Sequence, residues 1–205
     1  SLSINAVNIE ENAGRTPVNY VLPPGVTRIV DPGQSQVTQL NEQSMALEVK
    51  GLQAGDARAV YKNTSLDLRI YKRLQMHVHN EALIDNTTNL RNGDVSLFLR
   101  LGTDVKNNYY EYEIPLEVTP EGKYSTYSTT DQSIVWPDNN RLDCDLDLFT
   151  AVKKNRNANK MAGVAGVSYN LRYTEYDPNR PNNRITVIGN PSLSDVRVMM
   201  IGVRN

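Results

Sequence analysis

The chain has 205 residues, of which 39% are hydrophobic, and 22 basic and 23 acidic side chains give a net charge of −1. This length is sufficient for one large domain with a buried core. With this near-zero net charge, nothing in the composition resembles the basic footprint of nucleic-acid-binding proteins. The longest apolar run, 198–203, is far shorter than the ~20 residues of a membrane-spanning helix, so we expect a soluble domain. A single cysteine, Cys144, excludes an internal disulfide.

The first 39 residues predict an extended arm rather than a separate folded domain. Proline and glycine recur here, and both favour turns or extended backbone over helix. One short strand is expected at 19–22, where Tyr20 and Val21 can pack on the rest of the chain. Neither an initiator methionine nor a signal peptide precedes the arm, so we expect the chain to come from the interior of a longer protein.

The clearest predicted element is a β-hairpin formed by residues 95–101 and 109–116. Apolar and polar residues alternate along both segments, which is the pattern of half-buried strands. The residues that connect them are typical of a turn. Glu111 and Glu113 share the hairpin face that also carries Arg100, so we expect them to form cross-strand charge pairs.

Other elements follow from periodicity and capping. The last strand is nearly continuous in apolar residues, which indicates a central strand covered on both faces. Asp143 can cap one helix, which ends in the polar residues 155–160. The apolar stripe of this helix is Leu146, Phe149 and Val152. The remaining strands are predicted at 44–49, 58–62, 73–79, 167–173, 184–188 and 196–203, with a turn at 177–183.

Together these elements indicate an all-β fold. About eight strands with one short inserted helix predict a jelly-roll-like β-sandwich, galactose-binding-like, with an extended N-terminal arm. We therefore expect residues 1–39 to be the arm, packed on the domain, and residues 40–205 to be the β-sandwich domain.

The sequence contains weak candidates for a metal or catalytic site. His77 and His79 alternate on one predicted strand, but two histidines do not complete a metal site, and we expect them to face solvent. The acidic residues that begin at Asp143 lack the glycine and glutamate of a calcium loop. Glu111 and Glu113 resemble a glycosidase carboxylate pair, but charge pairing explains them more simply. We therefore predict no catalytic residue, no metal, no cofactor and no enzymatic activity.

Aromatic residues in the middle third offer an alternative role in sugar binding. Exposed aromatic rings can stack on the apolar faces of pyranose sugars, whereas tyrosines that alternate inward belong to the core. A platform requires at least two coplanar rings exposed on one face. The candidate platform residues are Tyr109, Tyr124, Tyr127 and Trp136.

Several longer phrases resemble the SprA/Sov family, the outer-membrane gliding-motility and secretion proteins of Bacteroidetes. They occur in order from about residue 19 to residue 205. The phrases are NYVLPPGVTR (19–28), NEQSMAL (41–47), GDARAVYKNTSLDLRIYKRLQMHVH (55–79), FLRLGTD (98–104), YYEYEIPL (109–116) and IGNPSLSDVRVMMIGVRN (188–205).

The resemblance implies that the chain is one non-catalytic soluble domain of a type IX secretion translocon, acting as a structural or interaction module. The expected partners are other segments of the same large outer-membrane protein, translocon subunits and secreted cargo, with no nucleic acid. The expected location is outer membrane-associated, at the cell surface or the periplasmic face, with the domain itself not embedded in the membrane. The alternative is a carbohydrate-binding jelly-roll module of a cell-surface polysaccharide-utilisation protein.

Three arginines are the candidate partner-binding residues of such a module. Arg69, Arg73 and Arg100 can hold loops or a partner because a guanidinium group forms paired hydrogen bonds with carboxylates. Maintenance of the scaffold is the competing explanation for all three.

Overall fold

The computed structural model describes residues 1–28, 33, 42–85 and 89–205. In these ranges the contacts divide the chain into two compact units. The first unit comprises Ser1–Lys50, His77–Asn92 and Leu116–Arg141, and the second comprises Gly51–Met76, Gly93–Pro115 and Leu142–Asn205. In chain order the elements are β1 (Leu2–Asn8), α1 (Ile9–Asn12), β2 (Gln43–Val49), β3 (Ala57–Leu66), β4 (Arg73–Met76), β5 (Ser96–Gly102), β6 (Tyr109–Pro115), α2 (Thr129–Val135), a 3-10 turn (Asp138–Asn140), β7 (Leu142–Asp145), α3 (Asp147–Met161), β8 (Tyr173–Asp177), β9 (Arg180–Ile188) and β10 (Val196–Arg204).

The first unit combines a two-stranded sheet with a small apolar core. β1 and β2 pair antiparallel. The predicted strand at 19–22 does not form, and only an isolated bridge joins Val18 to Gly122. Instead the indole N–H of Trp136 donates to the Val21 carbonyl at 2.8 Å, which ties this segment to α2. The buried residues of the core are Val18, Tyr20, Val21, Val135 and Trp136.

The second unit is built on a six-stranded antiparallel sheet with the order β3-β10-β5-β6-β9-β8. The predicted hairpin is confirmed as β5 and β6, in which Leu99 lies opposite Tyr112. The predicted central position of the last strand is also confirmed, because β10 pairs with β3 on one side and β5 on the other.

One face of this sheet forms the core of the second unit. Helix α3 packs against β7, β8 and β9. The Phe149 ring of α3 lies 5.3 Å from the Tyr110 ring of β6. Phe149 and Val152 are buried, as the apolar stripe predicted. The sheet residues buried on this face are Leu97, Leu99, Leu101, Tyr110, Tyr112, Ile114, Ile185 and Val187.

The predicted start and end of the helix were wrong. Asp143 lies in β7, where its carboxylate accepts from Arg73 at 2.5 Å, so it pairs with β4 instead of capping a helix. α3 begins at Asp147 and continues through the polar residues 155–160 to Met161. Polar residues do not end a helix while one side stays buried, and here Arg156 continues the buried stripe.

Two other strand boundaries differ from the prediction. The strand predicted at 73–79 ends at Met76, where its pairing with β7 ends. The strand predicted at 167–173 begins only at Tyr173, because pairing with β9 starts there. The turn predicted at 177–183 is shorter, since β9 begins at Arg180. The Asp177 carboxylate accepts from the Asn179 N–H at 2.8 Å and closes this tighter turn.

The predicted β architecture is confirmed, with a large antiparallel sheet and few short helices. The jelly-roll arrangement stays a prediction. The predicted boundary between residues 39 and 40 lies outside the described residues. None of the helices in the described ranges has the length and apolar content needed to cross a membrane.

Candidate functional site

The face of the six-stranded sheet opposite α3 carries a group of charged residues above aromatic rings. Alternation along β6 places Glu111 and Glu113 on this face, between Arg100 of β5 and Arg184 of β9. The group of charged residues linked across this face, which we call the arginine–glutamate cluster, consists of Arg100, Glu111, Glu113, Arg172, Arg184 and Arg204.

Glu111 is the centre of the cluster and its side chain has no exposed surface. Arg100 Nε donates to Oε2 at 2.6 Å, and Arg172 Nη2 donates to Oε1 at 2.7 Å. Arg204 donates from Nη1 to Oε1 at 3.0 Å and from Nη2 to Oε2 at 3.1 Å, which is a paired contact. A buried carboxylate is stable here because its two oxygens are fully engaged by charged donors.

Glu113 extends the cluster towards β9. It accepts from Arg204 Nη1 at 2.7 Å and from Arg184 Nη2 at 2.9 Å. Arg184 is the most open of these arginines, with 42% of its side chain exposed. The two glutamates therefore link arginines from three different strands and the segment before β8.

The ionisation of Glu111 follows from these contacts. Burial alone raises the pKa of this carboxyl, but the hydrogen bonds from Arg172, Arg204 and Arg100 outweigh burial and lower the pKa to about 2. Burial likewise works to lower the pKa of Arg172 and Arg204, yet contact with Glu111 raises both. Four guanidinium groups thus face two carboxylates, which leaves a formal charge of +2 on this face.

Aromatic rings support the arginines from below. The Arg100 guanidinium carbon lies 4.3 Å from the centre of the Tyr109 ring, and that of Arg204 lies 4.6 Å from the Phe98 ring. Arg172 Nη1 donates to the Tyr109 hydroxyl at 2.7 Å. Rings at these positions attract cations and hold their side chains in one orientation.

The cluster borders an open cleft with a volume of about 430 Å³. The Thr174 and Thr186 hydroxyl oxygens lie 2.7 Å apart in its lining. An open cleft with charged donors suits recognition of a charged group at a surface rather than enclosure of a small molecule. The residues that line the cleft are Glu113, Arg172, Thr174, Arg184, Thr186 and Arg204.

The three predicted partner-binding arginines do not lie together. Arg100 belongs to the cluster, where its charge is paired with Glu111 as the hairpin pattern predicted. Arg69 is exposed and pairs with Asp67 at 2.6 Å. Arg73 lies on β4 and contacts Asp143 across the β4–β7 pair.

The four aromatic residues of the predicted sugar platform are also separated. Tyr109 belongs to the second unit and is buried beneath the arginines. Trp136 is buried in the core of the first unit, and Tyr124 packs against that core. Tyr127 is 96% exposed. The two buried rings do not offer a face on which a sugar could stack.

The histidines occupy different surroundings from those predicted. His79 keeps only 17% of its side chain exposed, and its ring nitrogens lie 2.7 Å from the Val135 carbonyl and 2.8 Å from Glu81. Burial lowers the pKa of His79 to about 4, so this ring is neutral at neutral pH. Across the described ranges, no three His, Cys, Asp or Glu side chains are grouped so that they could hold a metal ion.

Sequence reasoning missed Arg172, Arg184 and Arg204. Alternation in the segment RITVI placed Arg184 on the polar face of its strand, but nothing local paired that strand with β6. Arg184 and Glu113 are 71 positions apart in sequence. The pairing of distant strands, which builds this site, leaves no local signal.

The fold and the cleft define a mostly β domain with a cationic sheet face. A family model described as motility related/secretion protein, SprA_N, matches residues 1–205. The chain therefore belongs to the SprA family of motility-related and secretion proteins, which confirms the family resemblance of the motifs. No curated protein matches the chain.

Proposed function

We propose that this chain is a non-catalytic interaction module of an outer-membrane translocon for type IX protein secretion and gliding motility. Membership of the SprA family supports the link to motility and secretion. The observation that carries the interaction role is the arginine–glutamate cluster, whose charge of +2 faces an open cleft.

The module contacts its partner through the cationic sheet face. Glu111 and Glu113 hold the guanidinium groups in fixed orientations, so little side-chain freedom is lost when a partner binds. Arg172 and Arg184 retain exposed surface and donate to acceptors on the partner. The partners are other segments of the same outer-membrane protein, translocon subunits or secreted cargo.

Charge reversal in the full-length protein tests this role. The Arg184→Glu variant should reduce cargo secretion, because it places a carboxylate beside Glu113 in the cleft. The matched control is Arg197→Glu, an exposed arginine of β10 that pairs locally with Asp195. Normal secretion by a correctly folded Arg184→Glu protein at the usual cellular level would refute the proposal.

The arginines outside the cluster require their own test. Arg69 and Arg73 pair with carboxylates of their own unit. Charge reversal at either position tests whether that arginine also contacts a partner. Intact secretion in those variants would assign both residues to maintenance of the scaffold.

The reading frame that encodes the chain provides a test of the translocon assignment. A very long frame in which amphipathic strands of about ten residues flank this segment is expected. A short lipoprotein, or fusion to a glycosidase domain, would favour the carbohydrate-binding alternative instead. The burial of Tyr109 and Trp136 gives that alternative no structural support.

A further inference from the structure

We infer that the cleft binds a carboxylate side chain from an acidic peptide segment of the partner. This inference rests on the proposed function and specifies the partner chemistry at the same site. The contacts of Arg172, Arg184 and Arg204 carry it.

The charges in the cluster are not balanced. Glu111 engages three guanidinium groups, whereas Glu113 engages Arg204 and Arg184. Arg184 donates to Glu113 through Nη2, although a guanidinium group has five N–H donors. With 42% of the Arg184 side chain and 38% of the Arg172 side chain exposed, both can donate to a third carboxylate.

The shape and lining of the cleft favour a peptide over a small anion. A small free anion would bury little surface in such an open site and would gain mainly charge contacts, which salt screens. A peptide spreads its contacts over several strands. Tyr176 lies opposite Arg184 in the sheet register and is 66% exposed, so its ring offers a peptide an apolar contact beside the Arg184 guanidinium group.

The arginines already bind carboxylates of the chain itself. Arg172 and Arg204 hold the planar carboxylate of Glu111 at 2.7 and 3.0 Å, and Arg184 holds that of Glu113 at 2.9 Å. Arg184 lines the cleft and has N–H donors beyond the one that Glu113 accepts, so these can bind a further carboxylate. A carboxylate from a partner continues this pattern of alternating charge.

Binding of fluorescein-labelled hexaglutamate to the purified 205-residue chain tests the inference by fluorescence anisotropy. Hexaglutamate should bind, the affinity should fall with added sodium chloride, and labelled hexalysine should not bind. Inorganic phosphate should compete no better than sodium chloride at the same ionic strength. Stronger competition by phosphate would point to a phosphate ligand and overturn the assignment to carboxylate.

Variants locate the binding within the cleft. Arg184→Ala should weaken hexaglutamate binding about tenfold, and the double variant Arg172→Ala/Arg184→Ala more, because each removes charge-assisted hydrogen bonds. Arg184→Lys retains the charge but loses the paired donors, so its loss should be smaller than that of Arg184→Ala. Arg197→Ala is the control, since Arg197 lies near the opposite end of β10 from Arg204 and pairs with Asp195.

The outcomes separate this inference from the proposed function. Absence of hexaglutamate binding, or an equal loss in Arg197→Ala, overturns the inference. If binding fails while Arg184→Glu still impairs secretion, the cleft contacts a partner of different chemistry and the proposed function stands. If hexaglutamate binds in the cleft while Arg184→Glu secretes normally, the chemistry of the site stands and the proposed function fails.

Discussion

Glu111 is a charged residue in a position where an apolar residue would ordinarily lie. Its side chain is fully buried, and three arginines from β5, β10 and the segment before β8 converge on its two oxygens. Removal of one partner from a buried ion network leaves the other charges without compensation, which costs more than the intact network contributes. Glu111 is therefore the residue on which the cationic face depends.

The Glu111→Gln variant should lower the free energy of unfolding by about 3 to 5 kcal/mol, because it leaves three guanidinium groups facing a neutral amide. The control is Asp195→Asn, which removes the carboxylate of the exposed pair with Arg197 and should cost less than about 1 kcal/mol. Urea denaturation measures both values. Equal losses in the two variants would show that burial adds nothing to the Glu111 contacts.

The stability that Glu111 contributes should depend on pH. Burial raises the pKa of Glu111, but the arginines lower it by more, so the folded value of about 2 lies below the ordinary value of 4.5. A depressed pKa contributes stability that is complete above the ordinary value and is lost as the pH falls towards the folded value. The difference in unfolding free energy between the unmodified chain and Glu111→Gln should therefore shrink between about pH 4.5 and pH 2, as measured by urea denaturation at each pH. A constant difference would contradict the depressed pKa.

At the scale of the element, sequence patterns predict the secondary structure that depends on residues close together in the chain. Alternation in the hairpin and the apolar character of β10 predict strands, and the pairing of these strands confirms both elements. The half-burial that alternation predicts is wrong for β6, because Glu111 and Glu113 are buried as well, and the cover predicted on both faces of β10 is incomplete, because Arg197 is exposed. Asp143 failed as a helix cap because a carboxylate before an apolar stripe fits a strand equally well, and here it lies opposite Gln75 and pairs diagonally with Arg73. Arg184 could not be assigned to the site because its contact with Glu113 requires the pairing of β6 with β9.

Gly189, just after β9, shows how closely two connections approach in the second unit. Its φ of +68° is in the region that favours glycine, and a Cβ there would lie 1.9 Å from the Asn107 carbonyl oxygen. The carbonyl of Gly189 also accepts from the buried Arg156 at 2.7 Å. The connection between β5 and β6 thus packs against the connection between β9 and β10.

Gly189→Ala should destabilise the chain by at least about 2 kcal/mol more than Gly166→Ala. Gly166 has a similar φ of +79°, but nothing lies within 4 Å of its Cβ position, so this control isolates the backbone cost. Thermal unfolding of both variants measures the difference. Similar transition temperatures would mean that the two connections separate readily.

At the scale of the whole molecule, each unit is assembled from separate stretches of chain. The first unit takes residues Ser1–Lys50, His77–Asn92 and Leu116–Arg141, so the segment predicted as an arm includes Val18 and Val21 of its core. Sequence patterns gave no sign of this division, since the segments that form one unit are far apart in the chain.

Removal of residues 1–39 should shift the fluorescence of Trp136 to longer wavelength. Trp136 is the single tryptophan, and the truncation removes Val18, Tyr20 and the Val21 carbonyl that accepts its indole N–H. Tyr127→Ala is the control, because this exposed side chain of the same unit contributes nothing to the core. An unchanged emission maximum in the truncated chain would show that the remaining residues bury the indole unaided.

The interior position of β10 has a consequence for biosynthesis. β3 and β5 both pair with β10. β10 follows the other nine described strands in the chain, so β3 and β5 gain this neighbour only after residues 196–204 have been synthesised. Until then β3 and the outer side of β5 have unpaired backbone groups, which are sites of aggregation. Contacts between such distant segments also form slowly. The chain is therefore expected to be most prone to aggregation before residues 196–204 join the sheet.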